Sequence, residues 1–124
     1  MSLHPDLAAT LAAERADALA TPPRLTQDAL ELELANGVLL TVRYAAADAY
    51  SLRWRCGSGD AAAELGIDTA PLHPDLATSP NHLHLADGRV VADPLTRPDR
   101  APEDNLRRLV DVLVQDPDLT RLGA

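Results

Sequence analysis

The stretch from Leu30 to Tyr44 constrains the fold more than any other. Leu30, Leu32 and Leu34 alternate with Glu31 and Glu33; Asn36-Gly37 follows; then Val38, Leu40, Val42 and Tyr44 alternate with Leu39, Thr41 and Arg43. Period-two alternation on both sides of a turn dipeptide describes a β-hairpin with one buried face. Its register can be argued from the same residues. A two-residue Asn36-Gly37 loop pairs Leu34 with Leu39 but sets Glu31 and Glu33 beside Val42 and Leu40. A three-residue loop, Ala35-Asn36-Gly37 with Gly37 left-handed as a bulge, gathers Leu30, Leu32 and Leu34 with Val42, Leu40 and Val38 on one face. The second choice keeps Glu31 and Glu33 outside with Thr41 and Arg43, so the bulged hairpin is expected.

The rest of the chain extends this sheet. A third strand is expected at 49–56, with Tyr50, Leu52, Trp54 and Cys56 facing the core and Ser51, Arg53 and Arg55 facing away. Gly57-Ser58-Gly59-Asp60 reads as a turn and Glu64 to Asp68 as a short fourth strand. Beyond Pro71, Pro74 and Pro80, a last hairpin pairs His82–Leu85 with Arg89–Ala92 across Asp87-Gly88. A helix is expected over 5–20, where Leu7, Ala8 and Leu11 recur at helical spacing before Thr21-Pro22-Pro23. A second helix is expected over 102–115, with the stripe Leu106, Leu109, Val110 and Leu113 behind Pro102. The fold class is therefore α+β: one domain over 1–124, with a single antiparallel sheet of about four to six strands over residues 28–92. The N-terminal and C-terminal helices flank it.

Charge and composition narrow the function classes. In 124 residues, nineteen acids outnumber eleven bases, giving −8, and every base is arginine. Such a chain is poorly suited to clamping nucleic acid with its whole surface, although a local basic patch stays open. No apolar run approaches the ~20 residues of a membrane span, and the N-terminal residues lack a signal-peptide pattern, so a cytoplasmic protein with no membrane partner is expected. One cysteine, Cys56, excludes an internal disulfide and a cysteine-based zinc site. Neither a phosphate-binding Gly-rich loop nor a Gly-x-Ser-x-Gly nucleophile elbow occurs.

Chemistry concentrates in one segment. Three of the four histidines, His73, His82 and His84, fall within a Pro-punctuated loop and the strand it enters, with Asp68, Asp75 and Asn81 nearby. His82 and His84, two apart on a strand, share a face. Three readings stay open. Imidazoles can satisfy loop backbone groups or line an interface; a histidine pair can act as acid and base at a phosphodiester without metal; and His73, His82 and His84 can hold a divalent ion. No cofactor is otherwise expected. Arg53 and Arg55, with Arg43, are candidates for phosphate contact, against cross-strand ion pairs with Glu31 and Glu33 as the cheaper explanation. Trp54 reads as core, and Arg107 and Arg108 read as solvated.

Tyr50-Ser51-Leu52-Arg53-Trp54-Arg55, and then the run from Ile67 to Leu85, resemble the TumE family of small prokaryotic toxin-module proteins. In that family an aromatic strand with a Trp precedes a Trp-Asp-Asn-Ala-Pro-His-His-Pro block, a Phe-Pro-His-His-x-His block and a C-terminal helix. Asp68, Ala70, Pro71, His73, Pro74, Pro80, His82 and His84 agree with the pattern. Ile67, Thr69, Leu72 and Asn81 depart from it, which marks a divergent member with two imidazoles fewer. The resemblance implies the toxin component of a toxin–antitoxin module, with a cognate helix-turn-helix antitoxin as partner and RNA as a target. The histidine cluster, taken with that resemblance, extends the expectation to a ribonuclease centred on His73, His82 and His84, with Asp68 orienting an imidazole; Arg53 and Arg55 stay the binding candidates of the strand reading. A homo-oligomer is left open. The alternatives are a non-catalytic protein-binding module, an inactive member and a metal-dependent nuclease.

Overall fold

In the computed structural model, which describes residues 3–55 and 64–119, strands follow one another as a meander. The strands are β1 (Arg24–Leu25), β2 (Leu30–Glu33), β3 (Leu39–Ala46), β4 (Ala49–Arg55), β5 (Glu64–Asp68), β6 (His82–His84) and β7 (Val90–Ala92). All are antiparallel to their neighbours in one seven-stranded sheet, ordered in space as in sequence. Helices α1 (His4–Glu14) and α2 (Pro102–Leu113) lie at the two ends of the chain.

The bulged hairpin is observed. Leu30 pairs with Val42 and Leu32 with Leu40, and the Leu34 N–H donates to Val38 O at 2.8 Å. Gly37 closes the loop at φ 90°, a conformation that suits a residue without Cβ. The second hairpin repeats the device around Ala86-Asp87-Gly88: Gly88 has φ 91°, and Leu85 N donates to Arg89 O at 2.9 Å. In each, a carboxylate or amide oxygen, from Asn36 or Asp87, accepts the backbone N–H two residues on.

Register builds the core in rows. Leu30, Val42, Leu52, Ile67 and Leu83 stand opposite one another across five strands, and Leu32, Leu40, Trp54 and Leu65 form the next row. All are at most 2% exposed, and Leu7 and Leu11 of α1 with Leu106, Leu109, Val110 and Leu113 of α2 join the same cluster. Trp54, fully buried, donates its indole N–H to Pro117 O at 3.0 Å, tying the turn after α2 to mid-sheet. The helices pair through Arg15 with Asp111 and through Arg107 with Glu14, so Arg107 is half-buried in an ion pair rather than simply solvated. The other sheet face carries the polar half of each strand.

The structure corrects three expectations. The sheet has seven strands rather than four to six, because β1 joins its edge with Arg24 opposite Glu31 and Leu25 opposite Leu30. Two exposed residues after a Pro-Pro pair leave no alternation to read. The first helix ends at Glu14 rather than 20, and Ala16–Ala18 form a 3-10 turn. Alanine propensity is a weak prior; here the chain must turn so that Ala20 N reaches Glu33 O at 2.8 Å and Ala35 N reaches Ala18 O at 2.8 Å. The second helix ends at Leu113 rather than 115. The expected Cys56 position and the Gly57–Asp60 turn lie outside the described residues.

Candidate functional site

Alternation on β5 and β6 turns Asp68, His82 and His84 onto the face that the helices leave uncovered. Asp68 stands opposite both Ser51 and His82, and Arg43 lies beyond Ser51, giving the row Arg43, Ser51, Asp68, His82. The neighbouring row reads Thr41, Arg53, Gly66, His84. The three chemical groups meet between these rows. His82 Nε2 lies 3.1 Å from Asp68 Oδ1, His84 Nε2 lies 3.1 Å from Asp68 Oδ2, and the two Nε2 atoms are 3.0 Å apart. His82 is buried, whereas the His84 side chain is 34% exposed and opens the cluster to solvent. A cavity of about 460 Å³ in front of it is lined by Ser51, Arg53, Asp68, Leu72, His82 and His84.

The backbone around the cluster is tightly specified. Thr69 clips the exit of β5 onto β4: its Oγ1 accepts the Tyr50 N–H at 3.0 Å, and its own N–H donates to Tyr50 O at 3.1 Å. Asp68 Oδ1 accepts the Ala70 N–H at 3.1 Å. On the entry side, with a cis Ser79–Pro80 bond before it, His82 places Nδ1 3.1 Å from Pro80 O. A carbonyl only accepts, so Nδ1 carries the proton there.

Of the sequence candidates, the structure brings Asp68, His82 and His84 together as the one trio of ligand-bearing groups within mutual reach among the described residues. His73 stands beside them on the 69–81 loop, its ring edge-on to His82 at 4.7 Å between centroids and 6.5 Å from His84. Asp75 is exposed on the same loop and takes no part in the trio. Asn81 belongs to a different, buried network: its side-chain amide donates to Asp93 Oδ2 at 2.8 Å and to Thr96 O at 2.9 Å. His4 is buried at the start of α1, where its Nε2 accepts the N–H of Tyr44 near the end of β3 at 2.9 Å.

Arg53 and Arg55 do make ion pairs, but not with Glu31 and Glu33. Arg53 lies 3.6 Å from Glu64 and 3.8 Å from Asp68, and Arg55 lies 3.7 Å from Glu64. The strands next to β4 are β3 and β5, so the β2 carboxylates are one strand too far, and Arg24 of β1 takes Glu31. Sequence reasoning missed two supports. Gly66 is one: a Cβ there would meet Arg53 Cγ and Leu52 O at 3.3 Å, so glycine lets the arginine stem lie across β5. An isolated glycine within a strand pattern is the signal that was there to be read. The other is the Pro80 carbonyl, which no side-chain pattern announces. On the core side of β4 the Tyr50 hydroxyl bonds Thr96 Oγ1 at 2.7 Å, and burial above all pushes its phenol up to about 12.

The model of the family described as "Toxin TumE" matches residues 8–116. The chain belongs to the TumE family. Membership carries the role of toxin component in a toxin–antitoxin module, and with it an antitoxin partner. No curated protein and no solved structure matches the chain. The match spans α2 and every strand, so the Asp68, His82, His84 centre lies inside the family region of this TumE protein. No helix among its described residues is long and apolar enough to cross a membrane.

Proposed function

We propose that this TumE protein is a cytoplasmic toxin that cleaves RNA on the open face of its sheet. What supports the reading is one juxtaposition: Asp68, His82 and His84 meet at 3.0–3.1 Å on a solvent-open face, with Arg53 beside the same carboxylate. Phosphodiester cleavage needs groups that move a proton or activate an oxygen, next to cations that neutralise charge on the phosphate. The cluster supplies the first and the arginines the second. At 3.6–3.8 Å, Arg53 and Arg55 lie beyond hydrogen-bond distance from their carboxylates, so their N–H donors stay available to a phosphate. Arg43, exposed on the same face, makes no ion pair among the described residues. This local group of three arginines offsets the −8 of the whole chain at the place where a phosphate would lie. His73, outside the hydrogen-bonded trio and half-buried on its loop, is the histidine placed to carry a proton.

The test is growth of a host under tight induction, wild type beside His84→Ala at matched soluble levels, with RNA from arrested cells run beside that from uninduced ones. Arrest with fragmented RNA from wild type alone is the expected result. A second reading, toxicity by docking a protein, is favoured by the exposed apolar pair Leu25 and Leu39 near the β1 edge. Arrest that survives His84→Ala with intact RNA would replace the first reading with the second. A small helix-turn-helix protein encoded alongside is the antitoxin this proposal expects.

A further inference from the structure

The geometry points to a divalent transition-metal site made by Asp68, His82 and His84. The inference goes beyond the RNA reading and holds whatever the substrate is. Two imidazole Nε2 atoms and one carboxylate converge with contacts of 3.0–3.1 Å. The Pro80 carbonyl takes the His82 Nδ1 proton, which turns the Nε2 side of that ring toward Asp68 and His84.

A cation between them would meet one ligand atom from each of the three side chains. The spacing suits one. Ligand bonds of ~2.1 Å at the right angles of octahedral coordination place neighbouring donor atoms about 3.0 Å apart, which is the separation found here. Two imidazoles and one carboxylate suit a first-row divalent ion and leave further positions open. The Nδ1–H to Pro80 O bond is the outer contact that fixes ring and tautomer in metal-binding histidines. The ligand set differs from the histidine triplet of the sequence reading: Asp68 takes the place of His73. One carboxylate against a divalent ion leaves a net positive centre beside Arg53, facing the 460 Å³ cavity, and this suits an anionic ligand such as a phosphate.

The test uses the full chain, freed of any histidine tag and stripped with a chelator, titrated with Zn²⁺ by calorimetry and with Co²⁺ by visible absorption. Wild type is expected to take up one ion per chain, and the cobalt bands should report nitrogen and oxygen ligands. His84→Ala, at a part-exposed position, should weaken binding by at least tenfold, and His73→Ala should leave it within about twofold. Should His84→Ala fail to fold, Asp68→Asn, with the same shape and no charge, gives the same reading. No saturable uptake, or uptake equal in wild type and in the folded variant, overturns the site. RNA cleavage that depends on His84 without metal uptake would sink this inference and leave the function standing. Metal uptake in a protein whose His84→Ala variant still arrests growth and leaves RNA whole would do the reverse.

Discussion

Asn81 and His82 are neighbours in the chain, yet they enter two polar clusters of opposite character. Around Asn81 every group finds its complement: Asp93 Oδ1 accepts from Leu95 N and Thr96 N, Asp93 Oδ2 from Asn81 and Thr96, and Thr78 Oγ1 takes the Asp93 N–H while donating to Asn81 O. Around His82, two imidazole nitrogens and a carboxylate, all groups of the kind that bind metals, face one another at 3.0–3.1 Å. A buried polar network that is fully satisfied holds the fold; metal-binding groups gathered on an open face are kept for something they bind or transform. The first cluster also serves the second, since it pins Asn81, just before β6, to Asp93, just after β7, and thereby holds the approach to His82.

This contrast can be broken by swapping one charge in each cluster. Asp93→Asn should be the most damaging change, because two backbone N–H groups, an amide and a hydroxyl share its two oxygens. A loss of about 3 kcal/mol or more is expected in urea denaturation. Asp68→Asn should cost less than about 1 kcal/mol while abolishing toxicity and metal uptake. Equal losses of stability would erase the distinction. Next in size, saturating Zn²⁺ should raise the melting temperature of wild type by an amount matching ~2.7 kcal/mol at a hundredfold excess over Kd, and raise that of His84→Ala by no more than about half as much.

Smaller effects sharpen the picture. The Tyr50 phenol is raised from 10.0 to about 12 in the folded protein, so its contribution is whole below pH 10 and is lost as pH climbs toward 12. Stability should fall there by up to about 1.4 kcal/mol per pH unit from this group. Tyr50→Phe should flatten that alkaline limb while costing about 1 kcal/mol at neutral pH for the lost bond to Thr96. Gly66→Ala should cost about 1 kcal/mol, since Leu52 O is backbone and cannot swing aside. By displacing Arg53 it should reduce activity more than stability, as growth assays beside denaturation curves would show.

What the sequence made legible follows from the range of the interactions. The register of β2 and β3 could be read because only one pairing gathers Leu30, Leu32 and Leu34 with Val38, Leu40 and Val42 on one face, and the 64–68 and 82–85 strands because alternation and turns are local. Asp68, His82 and His84 stood out by type and spacing. Their contacts did not, since two residues sixteen apart meet only once β5 and β6 are paired. Asp93 and Thr96 gave no local sign at all: their partners, Asn81 and Tyr50, lie 12 and 46 residues away. Arg53 and Arg55 were placed on the right face with the wrong partners, because periodicity gives the face and strand order gives the neighbour.

The meander has a kinetic consequence. Every strand pairs with the one before it, so hairpins can form in sequence on the microsecond scale, with little loop entropy to overcome. The covering of the apolar face is different, because α2 begins only at Pro102. A chain emerging from the ribosome therefore carries Asp68, His82 and His84 well before Leu106, Leu109, Val110 and Leu113 arrive to cover its leucine rows. Until then it is a sheet with chemistry on one side and, beyond what α1 covers, bare apolar surface on the other, open to chaperones and to its own copies.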